Sequence, residues 1–228
     1  MRLRILTLVT LTAASMTLAK EKNKTVERLD EAGEVFSEVM GTPDKGIPQD
    51  LLDRSYCVVV VPGMKKGALI VGGKYGKGFV VCRKSGGQGW GAPAAIRIEG
   101  GSVGLQIGGA ETDVVMLVMN SRGMDKLTAS KFTLGGEGEV AAGPVGRDAT
   151  LQTDALLHAE ILSWSRSRGA FVGLSLQGAT LRQDLDDNED LYGKKIENKE
   201  ILEGKVAAPA SSSKLISLLG KYSARRTS

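Results

Sequence analysis

Between Thr25 and Met40 the apolar residues Val26, Leu29, Ala32, Val35, Phe36 and Val39 recur at spacings of three and four, while the intervening positions are largely acidic. That period predicts an amphipathic helix, with Thr25 placed to cap it. Pro43 and Pro48 then interrupt the chain ahead of a short helical stretch, PQDLLDRS. From Tyr56 the pattern changes to short apolar runs, YCVVVV, ALIVGG, FVVCR, AAIRIE, SVGLQIG and DVVMLVM, separated by glycine. Runs of this length are strand signals. In SVGLQIG, Val103, Leu105 and Ile107 alternate with Gly104, Gln106 and Gly108, a period of two.

Of the 30 glycines, 15 lie between Gly63 and Gly109. Such a density suits tight turns and bent strands rather than helices. SGGQG reads as a hairpin loop, SRGMDKLTAS as a short helix, and ILSWSRSRGAFVGLSLQG as a second hairpin turning at Arg166 to Gly169. The acidic run holding Asp186, Asp187, Glu189 and Asp190 reads as a solvated loop, VAAPASSS as a mobile linker, and KLISLLGKY as a last helix. The pattern predicts an α+β fold: a glycine-rich, curved or barrel-like antiparallel sheet packed with N-terminal and C-terminal helices.

The chain has 228 residues, 42% of them hydrophobic and 25% charged, enough for one sizeable core. Residues 1–19 differ from the rest: Arg2 and Arg4 precede an apolar, threonine-rich run that ends in Thr17, Leu18 and Ala19. That is the pattern of a secretory signal peptide, which predicts an exported protein, periplasmic or secreted and peripheral to a membrane. The expected organisation is a signal peptide over 1–19 and one domain over 20–228, with a core of about 26–205 followed by a linker and a helix. Cys57 and Cys82 are the only cysteines, and both sit in apolar runs. They fit either a disulfide in an oxidising compartment or two small core residues; with one histidine in the chain they match no zinc pattern.

Removing residues 1–19 leaves 28 basic and 26 acidic side chains, so the distribution of charge matters more than its total. Residues 58–110 carry seven basic side chains against Glu99 alone, whereas residues 111–193 carry 13 acidic against 7 basic. The basic segment GALIVGGKYGKGFVVCR suggests a phosphate loop, but Gly72 is followed by Gly73 where a P-loop requires lysine, and Lys74 is followed by tyrosine. Gly136, Gly138 and Ala141 have dinucleotide-fingerprint spacing, yet Gly143 and Pro144 follow where a helix should begin. GGSVG fits a nucleophile elbow at Ser102, with His158 and Asp125, Asp148 or Asp154 available for a triad, but alternation after Ser102 reads as strand rather than helix. Few aromatics interleave with the basic residues, so a nucleic-acid partner is not expected.

Several long blocks, IVGGKYGKGFVVCR, GWGAPAAIRIEGGSVGLQIGG, TDVVMLVMN, VAAGPVGRDA and AEILSWSRSRGAFVGLSLQGATLR, resemble the signature blocks of the SYLF domain family over about residues 26–225. The resemblance implies a phospholipid-binding module without catalysis. Eukaryotic relatives join the domain to SH3 or FYVE domains and bind phosphoinositides, and in yeast they bind actin. No SH3 or FYVE block is read in these residues, and an export signal separates the chain from actin. The expected partner is an anionic phospholipid membrane in the cell envelope, with no cofactor or metal; an envelope protein partner and a serine hydrolase using Ser102 and His158 are the alternatives. The headgroup site is placed by charge, not by the resemblance, at Lys65, Lys66, Lys74 and Lys77, with Gly72, Gly73, Gly76 and Gly78 opening the backbone, and at Arg166 and Arg168 on the second hairpin.

Overall fold

The computed structural model describes residues 24–42, 46–68, 71–103, 108–135, 140–144, 159–167, 170–171 and 176–227. Helix α1 (24–40) and α2 (Gln49–Arg54) lead into four long strands, β1 (Cys57–Ala68), β2 (Val71–Cys82), β3 (Ala94–Val103) and β4 (Gly108–Val118). After these come α3 (Ser121–Thr128), β5 (Lys131–Thr133), β6 (Val140–Ala142), β7 (Ile161–Ser167), β8 (Ala170–Phe171) and β9 (Thr180–Gln183). Three helices close the chain: α4 (Leu185–Tyr192), α5 (Asn198–Leu202) and α6 (Ser213–Tyr222). The strands form one curled, half-barrel sheet in the order β5-β9-β3-β2-β1-β4-β7-β6, with β8 paired to β7. The fold is α+β, as the alternating runs predict. One pair departs from the antiparallel expectation, because β6 runs parallel to β7.

The apolar run Cys57 to Val61 lacks alternation because both faces of β1 are covered. Cys57, Val59 and Val61 point into one core with Val80, Ile96, Val114, Leu127 and Leu202, whereas Val58 and Val60 point into the other with Phe36, Leu51, Phe79 and Leu219. Helices α1, α2 and α6 seal the second face, while α3 and α5 seal the first. Cys57 and Cys82 are direct cross-strand partners and form a disulfide. Among the described residues no helix is long and apolar enough to cross a membrane.

The acidic run after Asp184 is not a solvated loop but helix α4. Asp184, 1% exposed, caps it by accepting from the Asp187 amide, and Gly193 ends it at φ 75° in the left-handed region. Asn188 and Asn198 then tie α4 and α5 to β3. The Asn188 side chain accepts from the Ala95 amide at 2.8 Å and donates to Asn198 Oδ1 at 2.7 Å, while Asn198 Nδ2 donates to the Ala95 carbonyl at 3.0 Å. Every buried amide in this clamp has a partner, which is the condition for polar groups to be tolerated in a core. Thr25 is not a cap either. It lies inside α1, and its hydroxyl donates to Asp190 of α4 at 2.8 Å. VAAPASSS is seated along the fold through Val206, which packs on the first core, and ends in a 3-10 turn at Ala210–Ser212.

Candidate anion-binding surface

Strand pairing decides which lysines of the basic segment meet. Lys65 pairs with Tyr75 and Lys66 with Lys74 across β1 and β2. Because side chains alternate across a sheet, Lys66 and Lys74 share the face of the first core, whereas Lys65 and Lys77 share the face of the second. The four lysines therefore do not form one patch. Lys65 is exposed, Lys66 half-buried and Lys74 buried; burial, with Lys66 adding repulsion, holds the Lys74 ammonium below its ordinary pKa.

Lys77 is occupied. Its ammonium lies 2.9 Å from Asp184 and 2.8 Å from Asp187, and Arg28 of α1 reaches Asp187 from the other side at 2.5 Å. Burial opposes the charged form of Lys77, but its hydrogen bonds to Asp184 and Asp187 outweigh burial and raise the pKa above 10.5. A lysine with a raised folded-state pKa stabilises the fold fully below its unfolded value and loses that contribution as pH rises through the folded one. Urea unfolding of the wild type is therefore expected to show stability falling above about pH 10.5, and Lys77→Met should remove that part of the fall.

The glycines divide in the same way. A Cβ on Gly76 would lie 2.7 Å from Met64 Cγ, and one on Gly78 would lie 2.1 Å from the Val60 carbonyl oxygen. These two positions are closed by neighbours rather than open to a ligand. Gly72 is buried, while Gly73 is exposed with its nearest atom, the Gly100 carbonyl oxygen, 4.0 Å from a built Cβ. Arg166 on β7 is held by Glu38 of α1 and by Asp113, 3.4 Å away, in an acidic cleft that also contains Glu31, Glu34 and Glu111. Arg168 and His158 lie outside the described residues. Ser102 belongs to β3, paired with Gly72, so the backbone there is strand and not the turn into a helix that a nucleophile elbow requires.

Register builds a cationic feature that linear spacing conceals. Lys77 pairs with Arg97, Arg97 with Arg182, and Arg182 with Lys131, so four basic side chains stand in one row across β2, β3, β9 and β5. Lys77 is neutralised by α4, and Glu99 takes Arg97 at 2.8 Å and Arg182 at 3.6 Å. Beyond them a pocket of about 360 Å³ is lined by Arg97, Ser130, Lys131, Arg182, Lys195 and Asp186, with Lys195 3.4 Å from Asp186 and 3.8 Å from Glu189. Four cations against Glu99, Asp186 and Glu189 leave a small cationic excess, which suits an oxyanion. Basic residues 85 positions apart in sequence, Arg97 and Arg182, give no linear signal. Among the described residues no group of three or more His, Cys, Asp or Glu is placed to hold a metal.

The structure is a curled sheet sealed by helices on both faces, with cationic side chains on its surface. Residues 99–222 match the family model described as Ysc84, Las17-binding protein actin regulator. The chain is 32% identical over 206 residues to the SH3 domain-containing YSC84-like protein 1 of Rattus norvegicus, covering 90% of this chain and 59% of that one. It is 37% identical over 177 residues to an SH3 domain-containing protein of Schizosaccharomyces pombe, covering 76% and 40%, and 31% identical over 179 residues to the protein YSC84 of Saccharomyces cerevisiae, covering 77% and 38%. The chain belongs to the Ysc84/SYLF family. It spans about two fifths to three fifths of the length of these relatives.

Proposed function

We propose that the protein binds anionic phospholipid headgroups at a membrane surface in the cell envelope, without catalysis. The observation that carries this reading is the row Lys77, Arg97, Arg182 and Lys131, with a pocket beside Arg182 and Lys131 at its end. Exposed Lys65, on the same face as the row, adds a more diffuse attraction. The signal-like residues 1–19 and the Cys57–Cys82 disulfide support an exported location, since disulfides persist in oxidising compartments.

Each basic side chain near an anionic surface contributes about 1 kcal/mol, screened within a Debye length. Lys131→Glu combined with Arg182→Glu is therefore expected to weaken co-sedimentation with phosphatidylglycerol vesicles more than tenfold. Lys65→Glu with Lys66→Glu should weaken it less, and raised salt should release the wild type. Equal binding to phosphatidylcholine and phosphatidylglycerol vesicles would sink the reading. The family's description names protein partners, which makes a protein ligand the second reading; pelleting with filamentous actin, undiminished in the Lys131→Glu, Arg182→Glu variant, would favour it.

A further inference from the structure

A second cleft shares no lining residue with the pocket beside the cationic row. It is a groove of about 1060 Å³ between the loop that joins β2 to β3 and the segment that follows α5. Its lining is mixed: Trp90, Met124, Leu202 and Val206 supply hydrocarbon, with Ala207 and Ala208 exposed along the rim, beside the glycine-rich loop Ser85, Gly86 and Gly87. Its volume matches small-molecule sites, which are concave, mostly apolar and fitted with a few directed polar groups.

Three cations, Arg83, Lys84 and Arg226, line one part of the groove. Arg83 is 9% exposed, stacks 3.8 Å above the Trp90 ring, and spends its terminal nitrogens on the Leu52 and Ser223 carbonyls and the Ser223 hydroxyl. Its Nε is buried and has no hydrogen-bond partner among the described residues. A buried donor without a partner is costly unless a ligand supplies one. Arg226 lies 3.9 Å above the Tyr56 ring at the same end, and Lys84 stands beside them. Two carboxylates oppose them: Glu203 lines the groove and is taken by Lys205 at 2.7 Å, and Asp53 accepts from the Ser223 hydroxyl at 2.5 Å. Burial lowers the Arg83 pKa to about 10, so it stays a cation at neutral pH.

The geometry points to a binding site for one single-chain anionic amphiphile of the fatty-acid class, its carboxylate at Arg83, Lys84 and Arg226 and its chain along Trp90, Leu202 and Val206. A hydrocarbon chain packs on the side chains of Trp90, Met124, Leu202 and Val206 without asking them for hydrogen bonds. The charge at one end selects an anionic head over a cationic or neutral one.

Isothermal titration of the full chain with sodium laurate below its micelle concentration tests this. Laurate is expected to bind one to one and at least tenfold more tightly than dodecyltrimethylammonium, and acetate should give no heat. Ala208→Trp, which fills the groove from an exposed position, should weaken laurate at least tenfold while near-UV circular dichroism and melting temperature stay those of the wild type. Lys84→Glu should weaken laurate about fivefold, the scale of one charge near a partly solvated site. The site is absent if the two dodecyl head groups bind equally, or if Ala208→Trp binds laurate as the wild type does. A dimer in sedimentation velocity that Ala208→Trp dissolves assigns the groove to a second copy instead and overturns the proposal. Vesicle binding through the cationic row should be the same in Ala208→Trp, so either site can fail without the other.

Discussion

Replacing Gly78 with alanine is expected to destabilise the fold by about 3 kcal/mol, the upper end of what overpacking ordinarily costs, and to lower the melting temperature by roughly 6–12 °C for a chain of this size. The added methyl would sit 2.1 Å from the Val60 carbonyl oxygen and 2.8 Å from Val61 Cα. Both are backbone atoms of β1, beside the register shift between Val60 and Lys65, and neither can rotate away as a side chain would. The sheet must part locally or β2 must slip. Gly73, five residues earlier on the same strand, is the control: it is exposed, a methyl there meets nothing closer than 4.0 Å, and Gly73→Ala should be neutral or stabilise by about 0.4–1 kcal/mol through the unfolded chain. Thermal melts followed by far-UV circular dichroism compare the two. Equal melting temperatures would show that glycine at 78 is not required by packing.

Removing the Cys57–Cys82 bridge in a Cys57→Ala, Cys82→Ala variant is expected to cost about 3.5 kcal/mol, the chain-entropy value for a loop of this length, given a separation of 25 residues. The cysteines are 0% and 2% exposed, so the small cavities left behind add to the loss. Dithiothreitol should lower the midpoint of urea unfolding for the wild type and leave the double variant unchanged. Thiol titration in denaturant should find none before reduction and two after it. Two reactive thiols in unreduced protein from an oxidising compartment would remove the bridge from the account.

Helical spacing in residues 25–40, the short apolar runs from Tyr56 and the final KLISLLGKY determined most of the secondary structure, because each pattern follows from which side of a local element is buried. The α+β class followed from their order, and so did the family, through blocks legible without any structure. The acidic run holding Asp186, Asp187, Glu189 and Asp190 reads as a loop by composition although helix signals flank it: an aspartate cap at Asp184, a second acid three residues later, and a glycine stop at Gly193. Composition masked it, since a run of carboxylates reads as solvated until a cation is found to bury it.

That cation, Lys77, lies 107 residues before Asp184 and could be matched to it only by the folded sheet. Tertiary structure likewise chose the disulfide over two free core cysteines, by placing Cys57 and Cys82 opposite each other in register. It parted four lysines that are close in sequence onto two faces and aligned Lys77, Arg97, Arg182 and Lys131 from four separate strands. Local sequence fixes the period of burial along one strand, but which strands become neighbours, and in what register, is set by long-range packing of two cores against one sheet.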